Sequence, residues 1–408
     1  MKSSLRSLFL SIYVPALILR FCRGMLIPVL PIYAASFDVS VSLVGLAVGM
    51  MGIGTIAGDI PAGMLVARYG IKRTMQIGLG CIALAMLILG VADTYLLFLL
   101  FYFIAGVGMA LWGIAQHGYL RNEISPHQRG KGIALLGGLG RLGSFLGPYI
   151  GGTIATIYSE NVLFVLFGLL VASTIFLPSI YMQNGYEESR PAAGSRRKES
   201  EHHGFGQQIG YLGTLLRKDA GVLSAAGIAQ LFAQTIRSGR QIIIPLYGDA
   251  IGLDLQTIGL IVSIAAAVDM SMFPVAGYLM DRLGRKFSIV PSFLIQGIGL
   301  ALVPFTAGYS GLLAAACVAG FGNGLSSGTM MTLGADLAPD ESTGQFLGMW
   351  RFIGDIGQAG GPMIVGGITD LFALSPATFA IAAIGMAASG IFATFVPETL
   401  RRRYGEKG

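Results

Sequence analysis

The chain has 408 residues, 54% of them hydrophobic and only 12% charged, with a mean hydropathy of +0.70. Soluble domains carry about 25% charged residues, so this composition excludes an ordinary aqueous globule and points to lipid as the solvent. The net charge of +6 is a topological signal and not a nucleic-acid footprint, because the basic residues recur in alternate connections and form no single patch.

In chain order, apolar runs long enough to cross a hydrocarbon core about 30 Å thick cover 8–35, 41–66, 74–92, 94–118, 131–157, 161–183, 219–247, 254–280, 288–307, 309–335, 343–372 and 376–397. They predict an all-α integral membrane protein of twelve spans. The first run is too long for a signal peptide and continues into arginines, so it reads as an uncleaved first span. All but six of the 27 Lys and Arg fall at the termini or in the even-numbered connections. The odd-numbered connections carry Asp38, Asp93, Glu160, Asp249, Asp254 and Asp370 instead. By the positive-inside rule both termini are expected in the cytoplasm. The 60 glycines suit membrane helices, which use small residues to approach closely. Cys22, Cys81 and Cys317 lie far apart in apolar runs and form neither a disulfide framework nor a ligand spacing.

One hydrophilic segment, 184–218, contains EESRPAAGSRRKESEHH. It divides the chain into a six-span bundle, 1–183, and a second, 219–408, that ends in a short basic tail. The end of this linker places Phe205, Ile209, Leu212 and Leu216 on one helical face, which is expected to lie along the inner membrane surface. The halves repeat at an offset of 214 residues. Pro31 and Tyr33 match Pro245 and Tyr247, Gly45 matches Gly259, Gly63 matches Gly277, Gly106 matches Gly320, and Gly147-Pro148 matches Gly361-Pro362. Same-order repeats imply two bundles related by an axis along the membrane normal, rocking about a site near the midplane.

Six arginines lie inside predicted spans: Arg20, Arg23, Arg141, Arg237, Arg240 and Arg351. Each costs about 2.5–3.5 kcal/mol at a helix centre on insertion scales. Arg23 and Arg237 are repeat equivalents, each eight residues before a proline, and each has a second arginine one turn away on the same face. The intramembrane acids are Asp59, Asp269 and Asp355. Full pairing of three acids leaves about three cations, which cavity water, backbone carbonyls or an anionic substrate must answer. Two roles stay open for the arginines: guanidinium forks that grip a carboxylate or phosphate, or structural partners of the acids. The i, i+4 pair Arg351 and Asp355 suits the second role. Asp59, Asp269 and Asp355 are the groups able to load and release a proton. Tyr33, Gln230, Gln234, Tyr247 and Asn323 are further polar residues at cavity depth.

Several motifs carry a family resemblance. GYLMDRLGRK (277–286), with Gly277, Asp281, Arg282, Gly284 and Arg285, resembles the signature loop of the major facilitator superfamily. GMLVARYGIK (63–72), with Gly63, Arg68 and Gly70, is its first-half copy, and Ala67 stands where the family usually has Asp. The resemblance implies tight glycine contacts, a sharp turn, and an Asp that accepts from a neighbouring helix N-terminus. GSFLGPYIGG (143–152), with Gly143, Gly147, Pro148, Gly151 and Gly152, resembles the motif of the proton-coupled exporters; PVLP (28–31) and RFIGDIGQAGGP (351–362) are similar to features of the twelve-helix drug:proton antiporters. Phe103 stands where many of those antiporters have arginine. The Arg23 and Arg237 spacing resembles that of the organophosphate:phosphate antiporters.

The resemblance implies the major facilitator fold and proton-coupled export of a small amphiphilic organic compound by alternating access. A second reading is an organic-anion or organophosphate exchanger in which Arg20, Arg23, Arg237 and Arg240 bind substrate with Tyr33, Gln234, Tyr247 and Asn323. A third is a transporter-fold ligand sensor. The sequence shows no paired carboxylates at catalytic spacing, no metal-ligand cluster in the spans and no phosphate-binding glycine loop, so neither an enzyme nor a cofactor is expected. The expected setting is a prokaryotic inner membrane. The expected form is a monomer that meets a small molecule, protons and lipid, and no nucleic acid.

Overall fold

The computed structural model describes residues 8–123, 129–182, 220–339 and 343–400. All regular secondary structure among these residues is helical. A π-helical turn, Phe9–Tyr13, leads into α1 (Val14–Ala35). The second and third predicted spans are two helical arms, together labelled α2 (Val41–Leu89), with a sharp bend between them at Gly70, where φ is 82°. Only glycine adopts that left-handed backbone without strain. Next come α3 (Tyr95–Glu123), α4 (Arg129–Ile157), α5 (Glu160–Ala172) and the short α6 (Leu177–Tyr181).

The second half begins with α7 (Ala220–Ala250). Then α8 (Leu255–Ser271) continues into α9 (Phe273–Arg282), and Gly284 at φ 128° turns the chain into α10 (Arg285–Leu302). α11 (Tyr309–Leu325), α12 (Thr329–Leu337), α13 (Thr343–Leu371) and α14 (Leu374–Thr394) complete it. Helix therefore occupies each predicted apolar run. By length and composition alone, seven helical stretches among the described residues are apolar enough to cross a membrane. The helices outside that set include α4, α7 and α13, which carry Arg141, Arg237 with Arg240, and Arg351 with Asp355. Their lower hydropathy is the sequence trace of an interior polar surface. The predicted linker with its interfacial helix and the basic tail beyond Leu400 lie outside the described residues.

Small residues set the packing within each half, and the contacts repeat at the same offset of 214 as the sequence. A Cβ on Gly106 would strike the Met51 carbonyl, and one on Gly320 would strike that of Ala265. Gly147 lies against Phe21 and Gly24, while Gly361 lies against Thr235 and Ser238. Here a methyl group would meet backbone, which cannot rotate away. Overpacking of this kind costs about 1–3 kcal/mol. Gly106→Val is thus expected to lower the melting temperature of the detergent-solubilised protein clearly, whereas Gly63→Val, with nothing within 4 Å of its Cβ position, leaves it unchanged. Equal shifts for the two variants would contradict this packing.

The same offset governs contacts between the halves. Gly45 meets Pro362 and Gly259 meets Pro148; Gly366 meets Val41 and Ser42, and Gly152 meets Leu255 and Gln256. Each of these lies at the end of the bundle that bears the acidic connections, called the outer end below. The signature-loop glycines at the opposite, inner end behave differently. Among the described residues, Gly63, Gly70 and Gly277 have nothing within 4 Å of a Cβ position. Among the described residues the halves interlock at the outer end, whereas Gly63 and Gly277 have no close neighbour; the turns expected of this loop are present at Gly70 and Gly284.

Candidate functional site

A cavity of about 380 Å³ opens between the halves, and nearly all of its wall belongs to the second. α7 contributes Gln234, Arg237 and Arg240. α11 and the turn after it contribute Asn323, Ser326 and Ser327, and α13 contributes Trp350 and Gln358. The first half reaches the cavity through one side chain, Arg141 of α4. Its guanidinium bonds the Ser327 hydroxyl, sits 4.1 Å from the centre of the Phe273 ring, and lies 3.9 Å from Asp269 Oδ1. Asp269 Oδ2 accepts from Asn323 Nδ2 at 2.5 Å. Asp269 is thereby engaged by one cavity residue on each oxygen.

Arg237 Nη2 donates to Ser326 Oγ at 2.6 Å, and its guanidinium lies 5.3 Å from the centre of the Phe293 ring. Arg237 Nε and Arg240 Nη1 are buried and have no hydrogen-bond partner among the described residues. Neither arginine forms an ion pair there. A buried guanidinium donor without an acceptor is costly. Two of them beside a polar cavity create a demand for anionic oxygen, which matches the fork geometry of Arg.

A second charged cluster joins α2 to α13. Arg351 Nε is 3.5 Å from Asp355 Oδ2, and Arg351 Nη2 is 4.0 Å from Asp59 Oδ1. The expected i, i+4 pair therefore forms, and it also captures an acid from the other half. His117 of α3 lies within electrostatic reach of Arg351 and Arg20. Because two acids share Arg351, four of the six intramembrane arginines, Arg20, Arg23, Arg237 and Arg240, are left without a carboxylate among the described residues, where the charge count anticipated about three.

The structure brings Gln234, Arg237, Arg240 and Asn323 together and sets the other candidates elsewhere. Arg20 lies against Gly140 of α4, and Arg23 lies within electrostatic reach of buried Tyr102. Tyr33 is buried among Phe37, Phe98 and Phe164 and donates to the Ala92 carbonyl at 3.3 Å. Tyr247 donates to the Pro304 carbonyl at 3.0 Å. Both tyrosines thus fasten helices within one half. Arg141, Ser326, Ser327, Trp350 and Gln358 are wall residues that the candidate set lacked. For Arg141 a signal existed, since an intramembrane arginine needs a partner; the serines carry no such mark.

The signature loop also differs in detail from its expected wiring. Asp281 is exposed and reaches Arg285 Nη1 at 3.4 Å, and it caps no helix N-terminus among the described residues. The capping acid is Glu398, which accepts from the backbone of Arg285 and Lys286 at 2.9 Å each. Arg285 is buried against Asp336, with Nε 3.0 Å from Oδ2. Arg68 and Arg282 are exposed, and Arg68 lies over the Tyr69 ring. In the other motif, Gly143, Gly147 and Gly151 seat α4 on α1, while Gly152 and Pro148 seat it on α8.

Comparison with known proteins agrees with this architecture. A profile of the Major Facilitator Superfamily matches residues 13–233 and 226–408. The quinolone resistance protein NorA of Staphylococcus aureus is 23% identical over 94% of this chain and 95% of its own. Multidrug resistance protein 2 of Bacillus subtilis is 25% identical over 69% and 68%, respectively. Among solved structures, a D-xylose-proton symporter superposes with a TM-score of 0.75 at 18% identity, covering 95% of this chain and 97% of that one. A bacterial homologue of the lysosomal transporter Spinster, inward-facing and occupied, gives 0.75 at 14% identity over 95% of each chain.

Proposed function

The chain belongs to the Major Facilitator Superfamily, and from that premise we propose that it is a proton-coupled exporter of a small amphiphilic organic compound bearing an acidic group. It is a multi-pass membrane transporter of small molecules, not an enzyme. The carrying observation is the cavity in which Arg237 and Arg240 leave buried donors open. Trp350 and Met330 supply apolar wall beside these donors, as an amphiphilic cargo requires. NorA and Multidrug resistance protein 2 are named for drug resistance, which removal of a compound from the cell would produce, and this supports the export direction. So does the electrostatics of an inside-negative cell, where moving one negative charge outward releases about 2.3 kcal/mol per 100 mV.

On this reading twelve spans enclose the cavity, both termini are cytoplasmic, and the protein works as a monomer in a prokaryotic inner membrane. The open inner end admits cargo, and rocking of residues 1–183 against 219–408 exposes it outside. Asp59 and Asp355 carry the proton. Two carboxylates around one guanidinium leave a net charge of −1, which one proton cancels. Asp59 belongs to one half and Asp355 to the other, so rocking changes their separation and their hold on that proton.

An exchanger of organic anions is the second reading, favoured by the four arginines without a carboxylate partner. Proteoliposomes decide between them. Uptake of a radiolabelled aromatic carboxylate, a sugar phosphate and a lipophilic cation is measured into acid-loaded vesicles and into vesicles loaded with unlabelled anion. Acid-driven accumulation of the carboxylate is the expected result. Accumulation that needs internal anion and ignores pH establishes the exchanger, and transport of the cation alone removes the acidic-cargo assignment.

A further inference from the structure

The first turn of α2 is not capped by its own sequence. Ser40 occupies the N-cap position with extended backbone, φ −63° and ψ 156°, and its side chain makes no capping bond. The orphan donors there are instead taken by Asp370, more than 300 residues away at the end of α13. Asp370 Oδ1 accepts from Val41 N at 2.8 Å and Oδ2 accepts from Ser42 N at 2.9 Å. A carboxylate of the second half thus caps a helix of the first, where the helix dipole favours an anion. The repeat-equivalent site has a weaker version of the same contact: Thr156 Oγ1 of α4 accepts from Gln256 N of α8 at 3.1 Å. Thr156 and Asp370 are 214 residues apart, as are Ser42 and Gln256. α8 has in addition a cap of its own, since Asp254 Oδ1 accepts from Thr257 N at 2.9 Å. The first turn of α2 has no such substitute.

We propose that Asp370 is the outer latch of the transport cycle: its carboxylate holds α2 to α13 while the inner end is open and must release the α2 N-terminus before the outer end can separate. The bonds cross between the halves at the end where Gly366 already touches Val41 and Ser42. They therefore exist only in the conformation whose outer ends meet. Removing them destabilises that conformation alone, because the outward-open one never had them. A cap inside one half, such as Asp254, contributes equally to both conformations and has no such effect. The role is one of positioning, since Asp370 lies outside the cargo cavity.

The test reads distances and needs no cargo. Cys22, Cys81 and Cys317 are replaced by serine, and spin labels are placed on Val91→Cys and Phe305→Cys to report the outer end and on Tyr69→Cys and Phe287→Cys to report the inner end. Pulsed dipolar spectroscopy then gives the ratio of outer-separated to outer-closed molecules in lipid nanodiscs. Asp370→Ala is expected to raise that ratio about tenfold, equivalent to about 1.4 kcal/mol. Val41→Pro keeps the carboxylate but removes one of its donors. Proline suits the first helical position, and the extended Ser40 before it already has the backbone proline requires. It is expected to move the ratio in the same direction, and it serves if Asp370→Ala does not fold. Asp254→Asn leaves the ratio unchanged. A ratio that stays at the wild-type value in both Asp370→Ala and Val41→Pro overturns the latch, as does an equal rise in Asp254→Asn. None of these outcomes depends on which cargo is carried, so the cargo assignment stands or falls separately.

Discussion

Arg237→Ala is expected to raise the KM for an aromatic carboxylate by about 10- to 100-fold, the range that corresponds to losing one charge-assisted bond of about 1.5–3 kcal/mol. Arg23→Ala, its repeat equivalent, is expected to change KM by less than about twofold. The contrast rests on where the two side chains lie. Arg237 lines the cavity with a free Nε, while Arg23 is not among the residues that line it. Arg237→Lys should recover only part of the affinity, because an ammonium keeps the charge but not the planar fork. Unfolding is an unsuitable explanation for the loss. Arg237 has no ion-pair partner among the described residues, and deleting an uncompensated buried cation relieves strain. The melting temperature of Arg237→Ala without cargo should equal or exceed that of the wild type. Equal KM changes in Arg23→Ala and Arg237→Ala would show that cargo is held symmetrically by α1 and α7, and the one-sided cavity would then be the wrong site.

The repeat was legible in the sequence because it is written in glycines and prolines, whose backbone demands do not depend on context. The offset of 214 matched Gly106 with Gly320 and Gly45 with Gly259, and in the structure each pair makes equivalent contacts: Gly106 with Met51 and Gly320 with Ala265 within the halves, Gly45 with Pro362 and Gly259 with Pro148 between them. Polar side chains were less legible. Equivalent backbone positions need not have equivalent partners. Arg141 and Asp355 are repeat mates, as are Phe273 and Asp59. The first pairing across the halves is a guanidinium on a ring, and the second is two acids around Arg351. Tyr33 and Tyr247 show a different limit. Ten residues at about 100° each carry a side chain about 80° around the helix from the arginine below and about 15 Å along it. Depth in the membrane can be counted from sequence, whereas the direction a side chain faces depends on how the helix is rotated against its neighbours. The Asp370 contact was out of reach for a related reason: Ser40 is a favoured N-cap residue, and nothing in the chain order says that a distant acid takes the donors of α2 instead.

Asp59→Asn is expected to abolish the response of transport to an imposed pH gradient while leaving counterflow intact. Counterflow exchanges labelled for unlabelled cargo at equal concentration, so it needs binding and rocking but no net driving force. In the wild type, with one proton exchanged per cargo, each pH unit across the vesicle membrane should support about a tenfold cargo gradient, since one unit corresponds to about 1.36 kcal/mol. In Asp59→Asn that gradient should fall to unity. The physical reason lies in the count around Arg351. Asp59 and Asp355 together exceed its charge by one, and the Asn variant leaves a neutral pair that has no need of a proton. Asp355→Asn should act likewise, because the remaining Asp59 then matches Arg351 one to one. Asp269→Asn provides the comparison. Asp269 faces Arg141 and Asn323 rather than a second acid, so its loss frees a cavity cation and should strengthen carboxylate binding without removing the pH response. His117 is a further titratable group within electrostatic reach of Arg351, and His117→Gln should shift the pH at which transport is fastest while leaving the attainable gradient unchanged. A full tenfold gradient per pH unit in both Asp59→Asn and Asp355→Asn would remove the proton from this cluster. Loss of counterflow along with the gradient would instead make the cluster a structural tie between the halves.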